Sequence, residues 1–157
     1  PVAGTLSESV TDLLPLTPDL AEQAAEIHAA AMADGLGGDA WSAGSFLALL
    51  GSEGTVGWIA KQGGVVLARA IAGEAEILTI GVHPAARRQG LARALLNVCY
   101  AVLPALGADR LLLEVAVDNA PALTLYRSEG FAAVGRRTNY YKRGLAHIDA
   151  LVMARGL

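Results

Sequence analysis

One stretch and one side chain beyond it could do chemistry together. The stretch is Ile77–Ala92, ILTIGVHPAARRQGLA. It reads as a buried strand, a short turn carrying Arg87 and Arg88, then Gly90 and a helix that starts at once. That order puts free backbone N–H groups and positive charge at a helix N-terminus, a seat for a phosphorylated ligand. Gly90 removes a Cβ and Ala92 keeps the next turn small, so a diphosphate can approach the main chain. The side chain is Glu114, the one carboxylate in the apolar run Leu111–Val117. A phosphate cradle beside a lone acid suggests cofactor-dependent group transfer. The alternative for the turn is an ordinary strand–helix connection with solvated arginines. The pattern lacks the lysine and hydroxyl residue that end a Walker loop, and the three spaced glycines of a Rossmann turn.

These groups need a scaffold. Val10–Leu16 reads as a first strand. Thr17 can cap a helix with Pro18 at its first position, running to about Ala33 with Leu20, Ala24, Ile27 and Ala31 on one face. Ala33–Ala40 is glycine-rich and reads as a loop, and about Ser42–Leu50 as a short helix. Thr55–Lys61, Val65–Ala72 and Ala75–Val82 read as strands of an antiparallel meander, with Gln62-Gly63-Gly64 and Gly73-Glu74 as turns. Gly90–Leu106 is an amphipathic helix, with Leu91, Leu95, Val98, Val102 and Leu106 facing inward and Pro104 kinking or ending its last turn. Arg110–Val117 is a strand and Ala120–Glu129 a helix with Gly130 as its C′ glycine. Phe131–Arg137 is a further strand, and Ile148–Ala154 closes the sheet. The expected class is α/β: a mixed central sheet of about seven strands with helices on both faces.

The chain has 157 residues, 54% hydrophobic and 17% charged, with net charge −3. That fits one packed domain over 1–157 with residues 1–9 frayed, and it excludes wholesale disorder. No global field draws the chain to nucleic acid or an anionic membrane. The start lacks a signal peptide's basic residues and apolar core, and the longest apolar tract, near Leu91–Leu106, is interrupted by Arg93, Asn97 and Pro104. A single cysteine, Cys99, cannot form an internal disulfide, which fits a cytoplasmic setting. Cys99 reads as a buried, inert thiol. His28, His83 and His147 lack metal-ligand spacing.

Arg87, Gly90 and Ala92 match the Arg/Gln-x-x-Gly-x-Gly/Ala pattern of the acetyl-coenzyme A (acetyl-CoA) loop in the GCN5-related N-acetyltransferase (GNAT) superfamily, which this segment resembles. The neighbourhood agrees over Glu76–Tyr141. Within the superfamily it is most similar to the RimI type, protein-alanine N-acetyltransferases. The resemblance is carried by Leu113-Glu114-Val115, Asn119, Leu125-Tyr126, Gly130-Phe131 and Arg137-Thr138-Asn139-Tyr140-Tyr141. It implies the GNAT fold, with a parallel strand pair at the cofactor cleft, and transfer of acetyl from acetyl-CoA to an amine, releasing coenzyme A. The amine would be a protein N-terminal alanine, as on a small-subunit ribosomal protein, or a small molecule. A non-catalytic acetyl-CoA-binding domain is the alternative of a different class. Neither nucleic acid nor membrane is expected as a partner, and the chain would act as monomer or homodimer.

The resemblance also implies roles. Ile80 and Val82 would offer strand-edge backbone to the pantetheine and thioester. Arg87, Arg88, Gln89, Gly90, Leu91, Ala92 and Arg93 would surround the diphosphate. Glu114 would act as general base through water. An α-amine, with pKa near ~8, is mostly protonated at neutral pH and must lose a proton before it attacks. Otherwise Glu114 pairs with Arg110 or Arg136, or faces water. Tyr126 would protonate or hydrogen-bond the leaving thiolate; otherwise it packs with Ala122 and Leu125 as core. Asn119 would touch the pantetheine arm, and it can also cap its helix. Tyr140 and Tyr141 would line the acceptor cleft, and Trp41 would stand near the acceptor loop or anchor the second helix. The chain departs from the RimI type at Ala116, at Ala40-Trp41 and in the length of the Ala33–Ala40 loop, all positions bordering the acceptor.

Overall fold

The computed structural model describes residues 12–157. The frayed start expected at residues 1–9, and Val10 and Thr11 of the first predicted strand, lie outside the described residues. The elements are β1 (Leu13–Pro15), α1 (Ala21–Met32), α2 (Ala43–Leu50), β2 (Thr55–Ala60), β3 (Gly64–Ile71), β4 (Glu74–Val82), α3 (Leu91–Val102), β5 (Arg110–Ala116), α4 (Ala120–Ser128), β6 (Ala132–Arg143) and β7 (Ala146–Gly156). Among the described residues they build a seven-stranded sheet in the order β1-β2-β3-β4-β5-β7-β6. Every neighbouring pair is antiparallel except β4 and β5.

Strand β3 shows why the sheet has helices on both faces. Its side chains alternate with the strand period of two. Val65 and Leu67 join α1 and α2 residues Ala24, Ile27 and Phe46 in one cluster. Val66 and Ala68 join α3 residues Leu91, Leu95 and Cys99 in the other. Cys99 is fully buried and its thiol is pushed up to about 12, as expected of an inert core cysteine.

Four expectations need correction. β7 does not close the sheet; it inserts between β5 and β6, leaving β6 at the edge. The β6–β7 hairpin is also longer than its apolar residues suggest. Its distal half is exposed and carries no hydrophobic alternation, so pairing alone defines it. The buried stripe of α3 is Leu91, Leu95, Leu96 and Cys99, continued by Leu103; Val98 and Val102 only flank it. Pro104 ends the α-helix after Val102, and the tighter 3-10 turn that follows swings Leu106 out to 46% exposure. Finally, Thr17 precedes a 3-10 turn at Pro18–Leu20, not α1 itself, and its hydroxyl bonds Asp19 without capping a backbone amide.

Candidate active site

The site begins where two strands part. β4 and β5 pair in parallel only from Glu74–Arg110 to Glu76–Leu112. Just beyond, β4 bulges: Thr79 faces Leu67 and Ile77 faces Ala68, so Leu78 is the extra residue. A bulge bends its strand and interrupts pairing. The separation leaves a cavity of about 320 Å³ between Ile77–Val82 and Leu113–Ala116. Ile80, Val82, Asn119, Tyr126, Tyr141 and Glu114 all border it.

At one end this cavity runs into a depression of about 330 Å³ at the start of α3, bordered by Val82, Arg88, Gly90, Ala92 and Arg93. Gly90 takes φ 75° at the N-cap, and no side chain caps the helix. The first helical bond there is Ala94 N–H to Gly90 O, 3.0 Å, which leaves the preceding first-turn amides for a ligand. A Cβ at Gly90 would meet nothing within 4 Å, so the space above the turn is open. This cradle fits a diphosphate, and the slot between the strands fits a pantetheine arm.

The arginines of the turn do not act as a group. Arg87 was expected to add charge to the diphosphate. Its guanidinium instead donates to Val82 O at 3.2 Å and Ala31 O at 3.1 Å, and lies 3.4 Å from Asp34. It fastens the turn to the end of α1. Arg93 turns to Glu129 at 2.6 Å and Ser128 at 3.1 Å. Leu91 puts its side chain in the core, so only its main chain faces the depression. Gln89 is exposed, and Arg88, exposed at φ 63°, makes no ion pair among the described residues.

At its other end the slot opens into a cavity of about 740 Å³, sharing Ile77, Thr79, Leu113, Glu114 and Tyr141 with it. Glu114 stands at the junction, on the opposite face of β5 from the core residues Leu111, Leu113 and Val115. It is neither alone nor deeply buried. Arg137 Nε lies 2.6 Å from its Oε1, with 25% of the Glu114 side chain exposed. The partner is thus Arg137, two strands away across β7, not Arg110 or Arg136. Those pair with Glu74 and Asp149. The Tyr140 hydroxyl also hydrogen-bonds Glu114, which raises that phenol above its ordinary value.

Tyr126 reaches the slot from the other face. It packs edge-on against Phe131, ring centroids 5.7 Å apart, in a core cluster on which Ala122 and Leu125 also pack, so it has the core contacts and borders the slot at once. The cause is local. Gly130 at φ 88° ends α4 with Gly130 N–H to Arg127 O at 3.1 Å and Phe131 N–H to Tyr126 O at 2.9 Å. This is a Schellman cap, whose usual hydrophobic contact joins these same two positions. Burial, then Tyr141 and Tyr100, raise the Tyr126 phenol far above its ordinary value, so it stays protonated. Asn119 does cap α4, accepting Ala122 N–H at 3.4 Å, while its residue borders the slot.

A family model described as the acetyltransferase (GNAT) family matches residues 21–131, which hold the cradle, the slot, Glu114 and Tyr126. The chain belongs to this family. It is 38% identical over 94 residues to the ribosomal protein bS18-alanine N-acetyltransferase of Escherichia coli (strain K12), 60% of this chain and 64% of that one. The chain thus spans under two thirds of that relative. It is 35% identical over 148 residues to the N-alpha-acetyltransferase RimI of Mycobacterium tuberculosis (strain ATCC 25618 / H37Rv), 89% of each. The crystal structure of the E. coli ribosomal-protein-S18-alanine N-acetyltransferase superposes with a TM-score of 0.80 at 30% identity, covering 92% of both chains. The expected GNAT fold and RimI-type similarity are borne out.

The large cavity of this GNAT chain gathers Trp41, Tyr140 and Tyr141. Sequence reasoning missed what braces it. His28 is 1% exposed; its Nδ1 accepts Trp41 N–H at 2.9 Å and its Nε2 bonds Thr79 Oγ1 at 2.7 Å. Burial lowers this imidazole to about 4, so it is neutral. Trp41, His28 and Phe46 form a cluster of three mutually touching rings, Trp41 tilted against the other two at 5.4 Å each, so Trp41 anchors α2 and borders the cavity at once. Arg143, at the hairpin tip, donates to Gly35 O and Leu36 O at 2.9 Å each and pairs with Asp118. It hangs the Ala33–Ala40 loop over the cleft. A buried histidine joined to a tryptophan amide leaves no sequence signature, since the bond is to backbone.

Proposed function

We propose that the chain is an acetyl-CoA-dependent N-acetyltransferase whose preferred acceptor is the N-terminal α-amino group of a protein, a ribosomal-protein alanine foremost. The observation that carries this reading is the single run of space from the α3 N-terminus, past Tyr126 and Glu114, to the Trp41–Tyr140 cavity. Acetyl-CoA, when bound, supplies the activated thioester. The amides at the start of α3 hold its diphosphate, and the freed edge of β4 at Ile80 and Val82 holds its arm. Glu114 accepts the proton that the amine must lose, directly or through water. The amine, entering as a cation, competes with Arg137 for this carboxylate. Tyr126, protonated and wedged against Phe131, offers its proton to the departing sulfur. Main-chain N–H groups along β4 stabilise the oxygen that gains charge.

Peptide acceptors suit the large cavity because its rim is exposed at Asp39, Tyr140 and Lys142, so it opens to solvent. The named activities of the E. coli and M. tuberculosis relatives support the same acceptor class. Among the described residues no helix is long and apolar enough to cross a membrane, and a cytoplasmic site of action belongs to this reading. Mass spectrometry of N-terminal peptides incubated with enzyme and acetyl-CoA tests it. An alanine-starting peptide should gain one acetyl group while a lysine ε-amine control stays unmodified. Acetylation of small amines alone would replace the acceptor class, and coenzyme A binding without turnover would refute catalysis.

A further inference from the structure

Tyr140 and Tyr141 are sequence neighbours, yet both border the large cavity. On an unbroken strand, adjacent side chains point to opposite faces. Here the strand is broken. Arg137 faces Ala150 and Tyr141 faces Ile148, so Thr138, Asn139 and Tyr140 stand together against Asp149. Asn139 sits at φ 55°, a left-handed conformation that asparagine tolerates better than most residues. Asp149 holds the distortion from across the ladder. One carboxylate oxygen accepts Asn139 N–H at 2.9 Å and the other accepts Arg136 Nε at 2.7 Å. Its main-chain carbonyl accepts Val117 N–H at 3.0 Å, just past the strand that carries Glu114. One residue therefore ties the end of the Glu114 strand to the segment bearing Arg137, Tyr140 and Tyr141.

We propose that Asp149 is a positioning residue for acceptor recognition: its carboxylate keeps the three-residue bulge that turns Tyr140 and Tyr141 into the acceptor cavity beside Glu114. The inference rests on the acetyltransferase reading above. A purely structural role is the competing account. The ladder runs on both sides of the bulge, from Ala132 to Arg137 and from Tyr141 to Arg143, so the hairpin does not need this carboxylate to pair. The Asp149 side chain touches none of the residues that form the diphosphate cradle. Loss of its charge should act on the acceptor and spare acetyl-CoA.

The test compares the parent with Asp149→Ala and Asp149→Asn, using an alanine-starting peptide. Asp149→Ala should raise the acceptor KM about tenfold, the scale of losing a hydrogen bond to a charged group. The acetyl-CoA KM should stay within about twofold of the parent on the same reasoning. Asp149→Asn keeps one oxygen for Asn139 N–H and should recover part of the loss. Asn139→Val breaks the bulge from the other side, because a β-branched residue resists positive φ, and should repeat the effect even if Asp149→Ala folds poorly. Amide exchange at Asn139 reads the bulge without turnover and should quicken at least tenfold in Asp149→Ala. Unchanged acceptor KM and unchanged exchange would overturn the proposal, as would acceptor and acetyl-CoA KM rising together. A parent that acetylates no amine would refute the acetyltransferase reading instead, and the exchange measurement would still decide the role of Asp149.

Discussion

Glu114→Gln isolates proton removal from binding. The substitution keeps size and shape, and the residue borders the junction of two cavities, away from the α3 cradle. The Arg137 contact could confuse the result by blocking the base, so its strength matters. Arg137 is 59% exposed, and a pair of that exposure is worth about 1 kcal/mol or less. An incoming ammonium thus displaces the guanidinium for about a fivefold cost at most, small beside the 10²–10⁴-fold typical of general base catalysis. Without the carboxylate only amine that is already neutral can react. For an amine of pKa ~8 that is about 1% at pH 6 and about 90% at pH 9. The variant's kcat/KM should therefore climb roughly 90-fold across that range, and the parent's should climb less. Its deficit should reach about 10²-fold or more near pH 6 and shrink towards pH 9. Steady-state rates with a peptide of known α-amine pKa measure this, with acetyl-CoA affinity followed by calorimetry. Equal rates for variant and parent, or a deficit independent of pH, would remove Glu114 as the base.

Tyr126→Phe keeps the ring against Phe131 but deletes the phenol; kcat should fall about 10²-fold with little change in acetyl-CoA affinity, and thiol release reports it. Gly90→Ala forces a side chain into φ 75° at the cradle, at about 1–2 kcal/mol of backbone strain; calorimetry should show coenzyme A binding weakened about tenfold. Unchanged binding would contradict main-chain recognition of the diphosphate. His28 is neutral in the fold at a value lowered from 6.5 to about 4, so the unfolded chain takes up its proton first. Its contribution is complete above about pH 6.5 and shrinks as pH falls towards about 4, by roughly 3 kcal/mol in total. Urea unfolding at stepped pH should show that slope, flattened in His28→Asn.

Local signals carried most of the fold. Glycines at turns and apolar runs of strand length located β2 to β5, and Gly130 located the end of α4. The position of β7 was not legible, because strand order depends on which edge of β5 is left open, and no single segment encodes that. The α3 face was misread by one step because both Val98 and Cys99, three and four residues past Leu95, are apolar and spacing alone does not choose between them. At the site, the residue types were legible and their partners were not. Glu114 looked isolated because Arg137 lies far along the chain and reaches it only across β7. Arg87 matched a cofactor pattern, but its guanidinium had stronger local acceptors in Val82 O and Ala31 O. Asp149 and His28 each accept a backbone amide, Asn139 N–H and Trp41 N–H, and any residue other than proline supplies one.

The wall of the cleft formed by the Ala33–Ala40 loop is suspended from two guanidiniums. Arg87 holds its root at Ala31 O, and Arg143 holds its middle at Gly35 O and Leu36 O. Carbonyl oxygens persist through any exchange of side chain. The two anchors leave Asp39 and its neighbours at liberty to mutate while the backbone stays hung in place. Side chains along this segment can then change with the backbone beneath them undisturbed.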